Sequence, residues 1–204
     1  MRAQKDHPLL TRADIVSALQ EVGHRALQAG VLVDLAVYGG SAIALQWEFR
    51  RQTRDIDVII QSGSVFVRQA AQAIAAERGW PVDWLNDAVK GFASEYGEHQ
   101  MYEEYLGDAQ NVGLRVFVPT AEYLLAMKCM AMRIGDQEGH DASDIQYLMA
   151  DIGVKTVDAV MAIVEKYYPQ QRIQPKTYYG IQEILGTLID HEHATDASTP
   201  PGPR

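Results

Sequence analysis

Cysteine is nearly absent. Cys129 is the single one in 204 residues, so no internal disulfide can form, and its place in an apolar helical stretch marks a buried structural thiol rather than a nucleophile. Long hydrophobic runs are missing too: nothing approaches the roughly 18–20 apolar residues of a membrane span, and the opening MRAQKDHPLL lacks the apolar core of a secretory signal. A cytoplasmic protein without a membrane partner is the expectation. Positive charge is in deficit, with 18 Lys and Arg against 27 Asp and Glu and a formal net charge of −9. Broad attachment to nucleic acid needs clustered cations that displace counterions, which this balance argues against. It leaves room for a local basic patch at Arg50, Arg51 and Arg54. There is no internal repeat, and the histidines do not form a metal site by spacing; His191-x-His193 falls in a polar ending that reads as a solvated tail.

What remains is an ordinary globular composition, 47% hydrophobic and 22% charged, long enough to bury a full core as one domain with appended helices. Residues 11–28 carry apolar side chains at helical spacing with Thr11 as a cap, and Gly30 ends the run. Residues 33–38 read as a strand, the Gly39-Gly40 turn leads into a helix over 41–49, and residues 54–60 return as a strand. An alanine-rich helix follows over 63–78, then the run Trp80-Pro-Val-Asp-Trp-Leu-Asn86-Asp87, which fits a brief strand and a turn before a capped helix. Residues 101–106 and 113–118 look like an antiparallel pair, and helices are expected from Pro119-Thr120 to about Arg133, over 142–150, over 157–167, and from Pro175 to about Asp190. The fold class is therefore α+β, a small mixed sheet flanked by helices with a helical C-terminal region. The expected divisions are an N-terminal helix (1–30), a core (31–118), a helical region (119–190) and a disordered tail (191–204).

The chemistry concentrates in AVYGGSAIALQWEFRRQTRDIDVII. Asp55 and Asp57 alternate with Ile56 ahead of the apolar run Val58-Ile59-Ile60, and strand alternation points both carboxylates to one face. Like charges held side by side repel, and a divalent cation with a preference for oxygen is the usual reason to tolerate them; Mg2+ is the common choice when phosphate is the substrate. The Gly39-Gly40-Ser41 turn opens a helix, so its bare backbone can approach a phosphate while free N–H groups and the helix dipole attract negative charge. An acidic edge strand, a plain tight turn and a Ser41 N-cap are the ordinary alternatives.

The order Gly-Gly-Ser, helix, Thr53-x-Asp55-x-Asp57 resembles the DNA-polymerase-beta-like nucleotidyltransferase superfamily. A second block, Glu122-Tyr-Leu-Leu-Ala-Met-Lys128-Cys-Met-Ala131-Met-Arg133 followed by Asp141-Ala-Ser-Asp144-Ile145, is similar to that of AbiEii-type toxins and their uncharacterised relatives. The resemblance spans roughly residues 30–150. It implies a Mg2+-dependent transfer of a nucleoside monophosphate from a nucleoside triphosphate to an acceptor hydroxyl on a tRNA end or a protein, in a toxin–antitoxin or phage-defence setting with a cognate antitoxin. On that resemblance Asp55 and Asp57 are catalytic and hold the metal. Gly39, Gly40, Ser41, Thr53 and Lys128 bind nucleotide, and Asp144 first, Asp141 second, complete the carboxylate set. Without the resemblance, Lys128 is either an inward lysine in need of a charge partner or part of a solvated stripe, and Asp141 is a helix cap as readily as a site residue. Two departures stand out. His140 occupies the place of the family's lysine, and the strand over 113–118, where a third acid is usual, carries Arg115 instead. Asp144, Asp141 or Glu104 fills that gap, or the protein holds nucleotide without efficient chemistry as a binding or interaction module.

Overall fold

The computed structural model describes residues 9–108, 111–132 and 140–196. It falls into two compact units, one comprising residues up to Ala93 together with Gly97–Thr120, the other Ser94–Tyr96 with the chain from Ala121 onward.

The first unit is built on a five-stranded mixed sheet. Its strands are β2 (Val33–Tyr38), β4 (Ile56–Ser62), β5 (Leu85–Asn86), β6 (His99–Asp108) and β7 (Asn111–Pro119), in the order β5-β4-β2-β7-β6. The pairs β2–β4 and β6–β7 are antiparallel, and β2–β7 and β4–β5 are parallel. A two-stranded antiparallel ladder joins β1 (Leu10–Thr11) to β3 (Gln52–Thr53). Helix α1 (Arg12–Gln28) begins with a capping box: the Asp14 N–H donates to the Thr11 hydroxyl at 3.2 Å and the Thr11 N–H donates to the Asp14 carboxylate at 2.9 Å. Two donors left over at a helix start are thereby satisfied reciprocally. Ile15, Leu19 and Val22 of α1 are fully buried. The helix can lie close on the sheet because Gly23 faces the backbone of Gly113 on β7, where a side chain at residue 113 would overlap the Gly23 carbonyl.

The stretch over 39–46 departs from its sequence-based frame. Helix α2 is Gly39–Gln46, so it includes both glycines and ends well before Phe49. Helix α3 (Ser64–Arg78) ends on Gly79 in the left-handed region, as glycine at a helix C-terminus commonly does. Trp84 is buried, its indole N–H donating to the Ala71 carbonyl at 2.9 Å, and its own carbonyl accepts from the Ile56 N–H at 2.6 Å. That anchors the short β5 beside the start of β4. The antiparallel pair β6–β7 is longer than its apolar pattern indicates.

The second unit is helical: α4 (Ala121–Ala131), α5 (Asp141–Ile152), α6 (Val157–Tyr167) and α7 (Pro175–Asp196). Tyr123, Leu124, Leu125, Ile145, Leu148, Val160, Val164, Tyr167 and Tyr168 form its core. Cys129 is buried here, and that burial pushes its thiol up to about 12, so it stays protonated and inert. The adjacent Tyr167 and Tyr168 are core residues, whereas a second adjacent pair, Tyr178 and Tyr179, is 42% and 64% exposed. Helix α7 runs on through His191 and His193 to Asp196, where the sequence suggested a tail; residues 197–204 of that expected tail, like Arg133, lie outside the described residues. No described helix is long and apolar enough to cross a membrane.

Candidate active site

Asp55 lies immediately before β4 and Asp57 on it. Both are partly buried, while Ile56 and Val58 between and beyond them are fully buried. Strand alternation thus sends the apolar pair into the core and the two carboxylates together to the other face. Asp57 stands directly opposite Tyr38 in the β2–β4 ladder, and directly opposed antiparallel residues share a face. Tyr38 extends the row further, its phenol hydrogen-bonded to His99 Nε2 at 2.7 Å. On the other side Asp57 is in register with Asn86 of β5. Asn86, Asp57 and Tyr38 therefore line up across three neighbouring strands.

The glycines of α2 meet this row at close quarters. Gly39 has φ +60°, and a Cβ there would lie 2.5 Å from Asp57 Oδ2. A Cβ on Gly40 would lie 2.6 Å from Arg50 Nη2 and 2.7 Å from its Cζ and Nε. The bare backbone thus receives two charged groups of opposite sign, a carboxylate on one glycine and a guanidinium on the next. Ser41 is not the helix cap: Tyr38 occupies that position without a side-chain cap, and the fully buried Ser41 hydroxyl donates to the Tyr38 carbonyl at 2.7 Å. Tyr38 makes no side-chain hydrogen bond to the first N–H groups of α2, and that end of the helix carries the positive pole of its dipole, which favours an anion. Thr53 is buried on β3 and in register with Leu10.

Asn86 is the residue sequence reasoning passed over. Its amide donates to Asp55 Oδ2 at 2.9 Å while its own oxygen accepts from the Ala88 N–H at 2.9 Å. The Ala88 bond fixes which end of the amide faces Asp55, because only the NH2 end can donate to a carboxylate. Burial pushes the Asp55 carboxyl above its ordinary range; the Asn86 amide, and then Arg50 and Arg54, work against that rise, while Asp83 adds to it. The Trp-Leu-Asn-Asp run was the available signal, but nothing in it says which carboxylate Asn86 would meet.

The remaining site candidates lie on α4 and α5 of the second unit and on β6 of the first. Lys128 of α4 lies 2.9 Å from Asp141 and 2.7 Å from Asp144, both on α5, and the lysine and Asp144 side chains are 11% and 3% exposed. Lys128 thus faces inward and has its charge partners within the second unit, and Asp141 engages this lysine instead of capping α5. Glu122 pairs with Lys166 at 2.8 Å on the surface. Glu104 is the poorest third acid: the ladder runs Glu104–Arg115–Asp34–Ser62, so it aligns with the far end of β4 from Asp57, roughly 14 Å away across three interstrand spacings and about 16 Å further along the strand. Arg115, in turn, holds Asp34 through two bonds of 2.6 and 2.8 Å. Among the described residues no three His, Cys, Asp or Glu side chains converge as a metal cluster.

The two carboxylates alone still suit one kind of ion. Mg2+ keeps several waters and is commonly bound through one or two carboxylates plus substrate phosphates rather than by an all-protein cage. A pair of partly exposed acids beside an uncapped helix start provides that donor set. No curated protein and no solved structure matches the chain. A family model described as a nucleotidyltransferase of unknown function (DUF6036) matches residues 14–174, a span that includes every residue discussed above as a site candidate, and the chain belongs to that family.

Proposed function

We propose that the protein transfers a nucleoside monophosphate from a nucleoside triphosphate to an acceptor hydroxyl, releasing pyrophosphate, with Mg2+ held by Asp55 and Asp57. The observation that carries this reading is the seating of Asp57 against Gly39, which brings a carboxylate to the opening turn of an uncapped helix. Such a turn offers backbone N–H donors to phosphate oxygens, and the adjacent carboxylates offer ligands to a cation that phosphate shares. When bound, the ion would neutralise charge on the phosphates and favour the leaving pyrophosphate. The chain's own residues position: Gly39 and Gly40 present N–H groups, Asn86 holds the Asp55 carboxylate in one orientation, and Thr53 anchors the segment that enters β4. Ser41 acts through its backbone, since its hydroxyl is already donated to Tyr38.

By its likeness to AbiEii-type proteins, the setting is a toxin–antitoxin or phage-defence module with a tRNA end or a protein side chain as acceptor. Asp144 and Asp141 complete the carboxylate set in this reading only if Lys128 accompanies or releases them. A second reading is favoured by the pairing, rather than tripling, of carboxylates among the described residues: the protein binds nucleotide and acts as a sensor or interaction module.

Incubation of the pure protein with each of the four labelled nucleoside triphosphates, Mg2+ and total tRNA or a neighbour-encoded partner tests both. Label transfer lost in Asp57→Asn is the expected result. Metal-dependent binding without transfer supports the second reading, and the absence of both binding and transfer overturns the two together.

A further inference from the structure

Arg50 follows α2 and folds back so that its guanidinium lies flat against the bare Cα of Gly40, in the volume a Cβ would fill. It is also one of the cations whose charge reaches Asp55. A guanidinium at the start of a helix meets the positive end of the dipole and is disfavoured there. Its place is justified by negative charge on the same spot, and Asp55 and Asp57 supply part of it. A planar fork of donors held beside the first N–H groups of a helix matches the oxygens of a polyphosphate, which it can grip in a bidentate manner. The neighbouring arginines do not share this placement, as Arg51 and Arg54 are exposed.

We infer that Arg50 is a triphosphate-binding residue, the cationic wall of the phosphate cradle whose floor is the Gly39-Gly40 turn. This rests on the nucleotidyltransfer reading, and it assigns to the first unit a phosphate-neutralising cation that the sequence sought in Lys128. Because recognition runs through phosphate, the contribution is the same for every base. Gly40 is then required by Arg50: any side chain at 40 lifts the guanidinium off the turn.

Calorimetric titration of the full chain with the four nucleoside triphosphates and with inorganic tripolyphosphate, in Mg2+, tests the assignment. Arg50→Met is expected to weaken every triphosphate that binds, and tripolyphosphate, by about 10–100-fold, the range of a lost charge-assisted contact. Arg50→Lys recovers only part of that, since a point charge replaces a fork. Arg51→Met changes affinity less than about twofold, as befits an exposed charge. Mn2+ binding without nucleotide, followed by paramagnetic resonance, is not weakened in either Arg50 variant, whereas a merely structural role would lower it along with triphosphate affinity. Wild-type affinity in Arg50→Met overturns the inference and leaves the nucleotidyltransfer reading intact. Failure of the wild-type chain to bind any triphosphate overturns that reading and the inference with it. Should Arg50→Met not fold, Arg50→Lys decides: undiminished triphosphate affinity overturns the assignment, and a drop of about tenfold supports it.

Discussion

A Cβ at residue 39 would stand 2.5 Å from the Asp57 carboxylate, and the backbone there has φ +60°. Glycine is demanded twice over, once by the dihedral and once by the neighbour. Gly79 separates the two causes, because it has φ +66° with nothing within 4 Å of its Cβ position. Gly79→Ala is expected to lose about 1–2 kcal/mol, the strain of the left-handed region alone. Gly39→Ala is expected to lose about 1–3 kcal/mol more through displacement of Asp57, and to weaken Mn2+ binding, which Gly79→Ala leaves alone. Urea unfolding of the two variants checks this, and equal losses would remove the Gly39–Asp57 contact from the account.

Asp55 ionises at a stability cost. Burial raises its folded-state pKa above the unfolded value, so its favourable contribution is fully present below the unfolded pKa and is lost as pH rises through the folded one. Asp55→Asn keeps the shape, can still accept from Asn86 and carries no charge. Its melting temperature is expected to exceed that of the wild type at neutral pH by on the order of a few degrees, with the gain shrinking as the pH falls through the raised folded-state pKa and the wild-type carboxyl takes up its proton. On the proposed function, Asp55→Asn is expected to weaken Mn2+ binding at the same time. A lower melting temperature at pH 7 counts against the burial argument.

Asn86→Asp places a second carboxylate at the 2.9 Å separation now occupied by an amide donor, with its other oxygen still able to accept from Ala88. Repulsion is expected to destabilise the metal-free protein by about 1–3 kcal/mol at neutral pH. Mg2+ is expected to restore much of this, since the variant offers three acids where the wild type offers two. Calorimetric melts with and without Mg2+ should therefore show a larger ion-dependent upshift in the variant than in the wild type, and an equal upshift would place Asn86 away from the cation.

The Asp55-Ile56-Asp57 alternation was legible because strand period alone decides which side chains share a face. The glycines were legible as a turn, but the groups that need them bare were not. Asp57 and Arg50 reach Gly39 and Gly40 through tertiary packing, and no local pattern records that. The start of α2 was hidden for a different, local reason: glycine is a poor helix former, so apolar periodicity begins only at Ser41, while the helix begins at Gly39. Asn86 sits on a strand of two residues, too short for any period. Tyr38 and His99 are 61 positions apart, and only the sheet order brings them together. Lys128 did announce its need for a partner, as a cation among apolar neighbours; which acids would answer it depended on how α4 meets α5.

Those two acids make Lys128 a stability determinant in its own unit. With Asp144 only 3% exposed, removal of the cation takes a counter-charge from a buried carboxylate, and breaking a buried pair in this way typically costs about 3–5 kcal/mol. Lys128→Met is expected to show a loss of that order in urea unfolding. Asp144→Asn costs less, because Lys128 retains Asp141 at 2.9 Å. Combining Lys128→Met with Asp144→Asn is expected to recover a large part of the single-variant loss, so that the double-mutant cycle reports coupling rather than additivity. The cycle also bears on chemistry, since a lysine clamped between two acids must loosen its hold on them before it can serve a phosphate. An unfolding free energy unchanged in Lys128→Met would mean that the clamp carries no stability, which would return the lysine to the nucleotide-binding role its sequence context suggests.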